Sequence, residues 1–119
     1  MQIASFRLHG LSHDNQIQLF KDSPITDPLL YANSFWGYLR LKDTARACRM
    51  ALEAEWEGHE VFFLNASDTN LAVATDQAVE TAYPGVPFKK PLSGFQAAID
   101  CSKAKRIFGW ESTRSWRDM

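Results

Sequence analysis

The apolar run VFFL at residues 61–64 constrains the fold of this chain more than any other segment. Polar residues bound the run on both sides, in the sequence HEVFFLNAS. A strand with one face in water alternates apolar and polar residues, whereas a strand that is covered on both faces is apolar throughout. The run therefore predicts a strand of a parallel sheet with covering elements on both sides.

The segments before this run predict a strand, a short helix and a second strand with its helix. Residues 3–8, IASFRL, alternate in part and predict a strand, and residues 14–22, DNQIQLFKD, predict a short helix. A short strand at about residues 38–41 leads into a helix over about residues 43–56. Apolar residues at spacings of three and four define the expected buried face of that helix: Leu41, Ala45, Cys48 and Leu52.

The region after the apolar run predicts another helix, over about residues 71–83. Pro84 and Gly85 end this helix. Its cap is expected among three residues whose side chains accept hydrogen bonds: Ser67, Asp68 and Thr69. A small strand is expected between this helix and the last one. The alternation of strands and helices indicates a single α/β domain over residues 1–119.

The segment IDCSKAKRIFGW carries the start and stop signals of a complete helix. Asp100 or Ser102 can cap its start, and Gly109 can adopt the left-handed conformation that closes a helix. Trp110 is expected to pack back on the apolar face of the helix, which consists of Ala104, Ile107 and Phe108. The basic run SKAKR is expected to be a solvated helix face and not a nucleic-acid site.

Composition and charge exclude several classes of protein. The formal net charge is −1, so the chain has no overall attraction to nucleic acid or to a membrane surface. No apolar run approaches the roughly 20 residues that span a bilayer. Cys48 and Cys101 have apolar neighbours and are expected to be buried free thiols, which indicates a reducing cytoplasm. The histidines have no acidic or cysteine partner at metal-ligand spacing, so no metal site is expected.

Four residues are candidates for contact with a ligand, and each has a second interpretation. Lys89 and Lys90 can anchor an anionic ligand, or they can be solvated lysines that follow a proline-rich turn. Trp36 and Tyr38, beside Phe35, can line a ligand cleft, or they can pack in the core or at a domain contact. No nucleophile with a base and an oxyanion site can be recognised in the sequence.

Three blocks, YLRLKDTARACRMALE, HEVFFLNASDT and DCSKAKRIFGW, resemble the C-terminal region of NAD-dependent epimerase/dehydratase proteins in their order and spacing. These proteins are the extended short-chain dehydrogenase/reductases. The segment IASFRLHGL resembles the strand that follows their catalytic helix. In the first block, the residues that match the family pattern are Tyr38, Asp43, Ala45 and Ala47. In the last block, they are Asp100, Ser102, Lys103, Ala104, Phe108, Gly109 and Trp110.

The resemblance implies a partial Rossmann-like α/β fold, namely the C-terminal substrate-binding part of an extended short-chain dehydrogenase/reductase. The family's glycine-rich phosphate loop is absent from this sequence, and the spacing Tyr-x-x-x-Lys occurs only at Tyr38 and Lys42, within the block that resembles the family's short strand and not its catalytic helix. We therefore expect no catalytic and no cofactor-binding residue, and NAD or NADP is implied only for a full-length family enzyme. The implied function is binding of a sugar or nucleotide-sugar by a portion that is inactive alone. The alternative is a stand-alone, non-catalytic binding or interaction module.

The same resemblance implies a homo-oligomer. The predicted strands at residues 3–8 and 61–64 would belong to a parallel sheet whose other strands lie outside this chain. Apolar surface and open strand edges would then remain uncovered. A second copy of the chain can cover them in a symmetric dimer.

Three departures from the family pattern bear on the substrate. The family has an arginine in an R-D-Y approach to the short strand, where this chain has Trp36, Gly37 and Tyr38. A second family arginine aligns with Lys90, which can hold a phosphate only as a point charge. The asparagine that follows the entering strand of the family aligns with Gly10. The loss of a bidentate arginine clamp favours a substrate smaller than a nucleotide diphosphate sugar.

Overall fold

Two pairs of parallel strands and four helices make up the structure, a computed structural model that describes residues 1–119. In chain order the elements are β1 (Gln2–Leu8), β2 (Leu11–Ser12), α1 (Asp14–Asp22), β3 (Leu39–Arg40), α2 (Leu41–Glu53), β4 (Gly58–Leu64), α3 (Thr75–Ala82) and α4 (Ser102–Phe108). Short 3₁₀ helices cover Ala32–Ser34 and Trp116–Asp118. None of the helices is both long enough and apolar enough to cross a bilayer.

The strand pairs are parallel, although their partners lie far apart in the sequence. β1 pairs with β4 over its full length, and Gln2 lies opposite Gly58. β2 pairs with β3, and Leu11 lies opposite Leu39. Parallel neighbours need a long crossover connection, and the connection from β1 to β4 contains α1 and α2. The predicted α/β class with parallel strands is therefore confirmed.

The main core lies on one face of the β1–β4 pair. Phe62 and Leu64 are fully buried there, and the rings of Phe62 and Phe108 meet edge to face with their centroids 4.8 Å apart. The buried residues of this core are Leu39, Ala47, Ala51, Phe62, Leu64, Ala104, Phe108 and Trp110. Since α2 and α4 both contribute to this cluster, both helices cover the same face of the sheet.

The opposite face of the β1–β4 pair is largely uncovered. Side chains alternate along a strand, so Val61 and Phe63 point away from the main core, as does Ile3 on β1. Ile3 is 45% exposed and Phe63 is 41% exposed. The prediction that residues 61–64 are covered on both faces is therefore wrong for this chain. The reason is that the two helices near the sheet both pack on the side of Phe62.

The buried face of α2 differs from the one that the spacing predicts. Its inward residues are Asp43, Ala47 and Ala51. The carboxylate of Asp43 accepts hydrogen bonds from the backbone N–H of Thr113 at 3.1 Å and from its hydroxyl at 2.8 Å. These bonds satisfy a buried charge and draw this side of the helix inward. The predicted face lies on the flank or on the outer side of the helix: Leu41, Ala45, Cys48 and Leu52.

The two cysteines are free thiols, as expected, but only one of them is sheltered from solvent. Cys101 is partly buried, whereas Cys48 is exposed on the outer side of α2. The prediction of a buried Cys48 is wrong because it follows from the wrong face of that helix.

The start of α3 also differs from its prediction. The helix begins at Thr75 and no side chain caps it. Asp68 and Thr69 belong instead to a loop that is tied to a later segment, since the N–H of Thr69 donates to the carbonyl of Phe95 at 3.0 Å. An isolated antiparallel bridge between Asp68 and Gln96 stands where a small strand was expected.

Helix α4 and the residue after it match their prediction closely. The carboxylate of Asp100 accepts a hydrogen bond from the N–H of Ser102 at 2.8 Å. Gly109 closes the helix with a left-handed φ of 74°. Trp110 is fully buried, and its indole N–H donates to the carbonyl of Asp43 at 3.0 Å. The expected packing of Trp110 on the last helix is confirmed.

The segment after Trp110 completes a second core around Tyr38. The hydroxyl of Tyr38 donates to the carboxylate of Asp68 at 2.6 Å. The same carboxylate accepts hydrogen bonds from the hydroxyl of Ser115 and the guanidinium of Arg117. The buried apolar residues of this core are Ile17, Tyr38, Ala66 and Trp116. A charged network at Asp68 thus holds residues 115–117 against the body of the protein.

Candidate functional site

A cavity of about 720 Å³ opens at the carboxyl end of β4. This volume lies within the range of about 300–1,000 Å³ that small-molecule sites span. Most of the lining residues lie within four segments: residues 65–67, 86–92, 96–102 and 110–112. Twelve of the 22 lining residues are hydrophobic, so the cavity offers apolar contact together with a limited number of polar groups.

The floor of the cavity is the turn that follows β4, formed by Asn65, Ala66 and Ser67. Asn65 is buried, and its side-chain N–H donates to the carbonyl of Ala66 at 2.9 Å. Its amide oxygen has no hydrogen-bond partner. A Cβ atom at Gly37 would lie only 2.6 Å from that oxygen, so no side chain fits at this position. Gly37 thus allows a loop to cross the end of the strand at close range.

Two aromatic rings stand at one wall of the cavity. The centroids of Phe35 and Tyr83 are 5.4 Å apart and their planes meet at 31°. Phe35 adopts a left-handed backbone with φ of 51°, and Tyr31 and Trp36 are also left-handed. Each such residue stores on the order of 1 kcal/mol of backbone strain. The indole N–H of Trp36, which donates to the carbonyl of Pro28 at 2.9 Å, holds this loop in place.

Lys89 and Lys90, both predicted as binding residues, line the cavity. The ammonium of Lys90 lies 3.6 Å from a carboxylate oxygen of Asp100. Lys89 forms no ion pair in the structure. The structure therefore brings the two lysines to the same cavity and leaves Lys89 free to meet an anionic group.

Trp36 and Tyr38, the other two predicted binding residues, are fully buried and do not line the cavity. Trp36 packs in a third core cluster with Leu71, Ala78 and Val79. Burial, followed by the hydrogen bond to Asp68, raises the pKa of Tyr38 well above its usual range. Both residues support the cavity from beneath, and the aromatic residue of this loop that reaches the cavity is Phe35.

The residues around the start of α4 form another wall, and the pKa values of its two ionisable residues, Asp100 and Cys101, shift in opposite directions. The N–H of Ser102, its hydroxyl and the nearby Lys90 hold the pKa of Asp100 below its usual value, so its carboxylate stays charged. Burial raises the pKa of the Cys101 thiol to about 11. Cys101 is therefore a neutral wall residue at physiological pH and not an activated nucleophile.

Several lining residues are missing from the sequence-based candidates: Asn65, Ser67, Gln96, Cys101 and Lys105. A signal for the first two exists in the sequence, because residues that follow a buried parallel strand lie at the edge where α/β folds bind ligands. Nothing in the sequence indicates that Gln96 or Lys105 would join them. The structure brings no group of three or more His, Cys, Asp or Glu side chains together in a way that can hold a metal ion.

No family model matches the chain, and no curated protein matches it either. Among solved structures, the chain is similar to the crystal structure of the Bordetella bronchiseptica enzyme WbmG in complex with NAD and UDP. The TM-score is 0.51 at 15% sequence identity, and the match covers 97% of this chain and 40% of that chain. The chain thus spans less than half the length of the enzyme that it matches. It has a partial Rossmann-like α/β fold, shared with a part of that enzyme.

Proposed function

We propose that this chain is the C-terminal, substrate-binding portion of an NAD(P)-dependent sugar or nucleotide-sugar epimerase/dehydratase and that it is inactive alone. One observation carries the proposal, a cavity of about 720 Å³ at the carboxyl end of β4 in a fold shared with an enzyme crystallised with NAD and UDP. Ligands of open α/β sheets bind at the carboxyl ends of the strands. The sequence blocks that resemble the epimerase/dehydratase family support the same proposal.

The cavity has the groups that a polyhydroxylated ring needs. Phe35 and Tyr83 offer aromatic surface to one face of a ring, and Lys89 offers a positive charge. Ser67 and Gln96 offer side-chain donors and acceptors for hydroxyl groups. Cavities of this mixed kind fix the orientation of a ligand with a few polar contacts and gain affinity from apolar burial.

We propose that the residues of this chain do not form a dinucleotide site. A phosphate loop needs clustered glycines that let backbone N–H groups reach the pyrophosphate. Where a glycine of this chain allows close approach, the space beside it is occupied by the protein and not open to a ligand. At Gly10, a Cβ atom would lie 2.7 Å from the carbonyl oxygen of Gly37. We therefore propose that NAD or NADP is bound by residues outside this chain in a full-length enzyme.

The proposal predicts that the chain binds a sugar ligand and does not bind NAD. Calorimetry with NAD or NADP is expected to show no heat beyond dilution. A titration with glucose, glucuronate and UDP-glucose, followed by NMR, is expected to shift the signals of residues 86–90 for at least one ligand. A micromolar dissociation constant for NAD corresponds to about −8 kcal/mol and would contradict the proposal, because no group here accounts for it.

A variant that fills the cavity separates binding in the cavity from binding elsewhere. Ala98 lines the cavity, so Ala98→Trp is expected to abolish the sugar-dependent shifts. Ala45 is exposed on the outer side of α2, so Ala45→Trp adds the same side chain away from the cavity and serves as the control. Equal loss of binding in both variants, or no loss in either, would place the ligand outside the cavity.

We further propose that a second copy of the chain covers the exposed face of the β1–β4 pair. Each of these strands has one edge without a strand partner. On the face of the pair that points away from the main core, Ile3 and Phe63 remain substantially exposed. Unpaired edges and apolar faces of this kind favour association with another chain. An interface that covers both features would fall near the obligate class, above roughly 2,000 Å².

Light scattering at micromolar concentration is expected to show a dimer. Phe63→Asp places a charge on the exposed sheet face and is expected to shift the protein to a monomer. Leu52→Asp is the matched control, because Leu52 is 85% exposed on α2, away from the sheet face. A wild-type monomer with a cooperative melt would contradict the dimer and favour the stand-alone binding module instead.

A further inference from the structure

The charged residues that line the cavity leave one positive charge in excess. Five ionisable residues of fixed charge at neutral pH line it, namely three lysines and two acids: Lys89, Lys90, Lys105, Asp100 and Glu111. Lys90 pairs with Asp100 at 3.6 Å, and Lys105 pairs with Glu111 at 2.8 Å. Lys89 is the lysine that remains without an acidic partner.

Opening these ion pairs does not change that excess. Both pairs are solvent-exposed and therefore weak, so a ligand can draw Lys90 or Lys105 away from its partner. Each lysine that turns to the ligand then leaves a carboxylate at the same rim. A ligand with two or more negative charges then lies near this carboxylate as well as near the lysine. The repulsion between the ligand and the carboxylate offsets the attraction between the ligand and the lysine.

The lining also lacks the side chain that best holds a diphosphate. No arginine lines the cavity, and lysine offers a point charge in place of the bidentate fork of a guanidinium. Arg117, which lies near the second core, is committed to the carboxylate of Asp68 and to the carbonyls of Thr69 and Leu71. It is not free to turn toward a ligand.

We infer that the cavity takes a ligand with a single negative charge on a hydroxylated ring, a sugar acid of the uronate type, with its carboxylate at Lys89. The inference rests on the proposed function, because it narrows the substrate class of the same cavity. The aromatic pair of Phe35 and Tyr83 then contacts the ring, and the one excess positive charge of the rim matches the one negative charge of the ligand. A nucleoside diphosphate sugar carries at least one charge more than the rim can neutralise.

Calorimetry on the chain with glucuronate, glucose and UDP-glucose at one fixed ionic strength tests the inference. Glucuronate is expected to bind at least tenfold more tightly than neutral glucose, because one charge-assisted contact contributes about that factor to the affinity. It is also expected to bind more tightly than UDP-glucose. Lys89→Gln is expected to weaken glucuronate binding by about tenfold and to leave glucose binding unchanged. Lys42→Gln, at an exposed lysine of α2 outside the cavity, is the control and is expected to change neither.

A variant that removes a negative charge from the rim gives the converse test. Glu111→Gln removes one of the two lining carboxylates and is expected to improve UDP-glucose binding several-fold relative to glucuronate. Thermal melts of all variants show whether each one folds. If UDP-glucose binds the wild-type chain more tightly than glucuronate, or if Lys89→Gln leaves glucuronate binding intact, the inference is overturned and the proposed function stands. If none of the three ligands binds, the proposed function is overturned and the inference with it.

Discussion

Trp110→Ala is expected to lower the free energy of unfolding by about 3–5 kcal/mol, the range for removal of a large buried aromatic side chain. Trp110 is fully buried in the main core. Its removal leaves a cavity between α2 and α4 that the surrounding helices can fill only in part, and it leaves the carbonyl of Asp43 without the indole donor at 3.0 Å. Urea unfolding followed by circular dichroism measures the change.

Leu52→Ala provides the comparison for this result. Leu52 is an apolar residue that is 85% exposed, so its truncation is expected to change the free energy of unfolding by less than about 0.5 kcal/mol. If Trp110→Ala lowers the free energy of unfolding by less than about 1 kcal/mol, the side chain of Trp110 does not stabilise the main core as expected.

Asp68→Ala is expected to destabilise the chain by a similar amount, about 3–5 kcal/mol, because it breaks a buried charged network. The carboxylate accepts hydrogen bonds from Tyr38, Ser115 and Arg117. Without it, the guanidinium of Arg117 stays largely buried with no counter-charge. The hydroxyl of Tyr38 loses its acceptor in the same core. Urea unfolding again measures the effect.

Two further variants identify the cause of this loss. The double variant of Asp68→Ala with Arg117→Met removes both charges and is expected to recover part of the stability, since the cost comes from the unpaired cation. Glu53→Ala breaks the exposed pair with Arg49 and is expected to cost less than about 1 kcal/mol. A double variant that is no more stable than Asp68→Ala would contradict the charge-based explanation.

Local signals in the sequence were sufficient where a segment's own residues complete its structure. The start of α4 at Asp100 and Ser102, its left-handed end at Gly109 and the return of Trp110 all depend on residues within a few positions of one another. Capping and helix closure are short-range effects. The prediction of this helix was accordingly correct in its bounds and in its packing partner.

The errors arose where a distant segment decides the outcome. α2 carries two sets of small or apolar residues at helical spacing, and the buried one contains Asp43 because Thr113 bonds its carboxylate. Spacing alone does not reveal that partner. The candidate site shows the same limit, since Lys89 lines the cavity while Trp36 and Tyr38 are buried and do not line it. Cavity walls formed by four separate segments depend on tertiary contacts that no local pattern encodes.

The pairing of β1 with β4 has a consequence for the time at which the protein can fold. β1 must wait for Gly58 and the residues after it before it can pair with β4. The core around Tyr38 forms later still, because Trp116 and the partners of Asp68, Ser115 and Arg117, follow β4 by about 50 residues. Non-local contacts of this kind slow folding, and incomplete chains expose apolar strands meanwhile. Until β4 has been synthesised, β1 can therefore form non-native strand pairs.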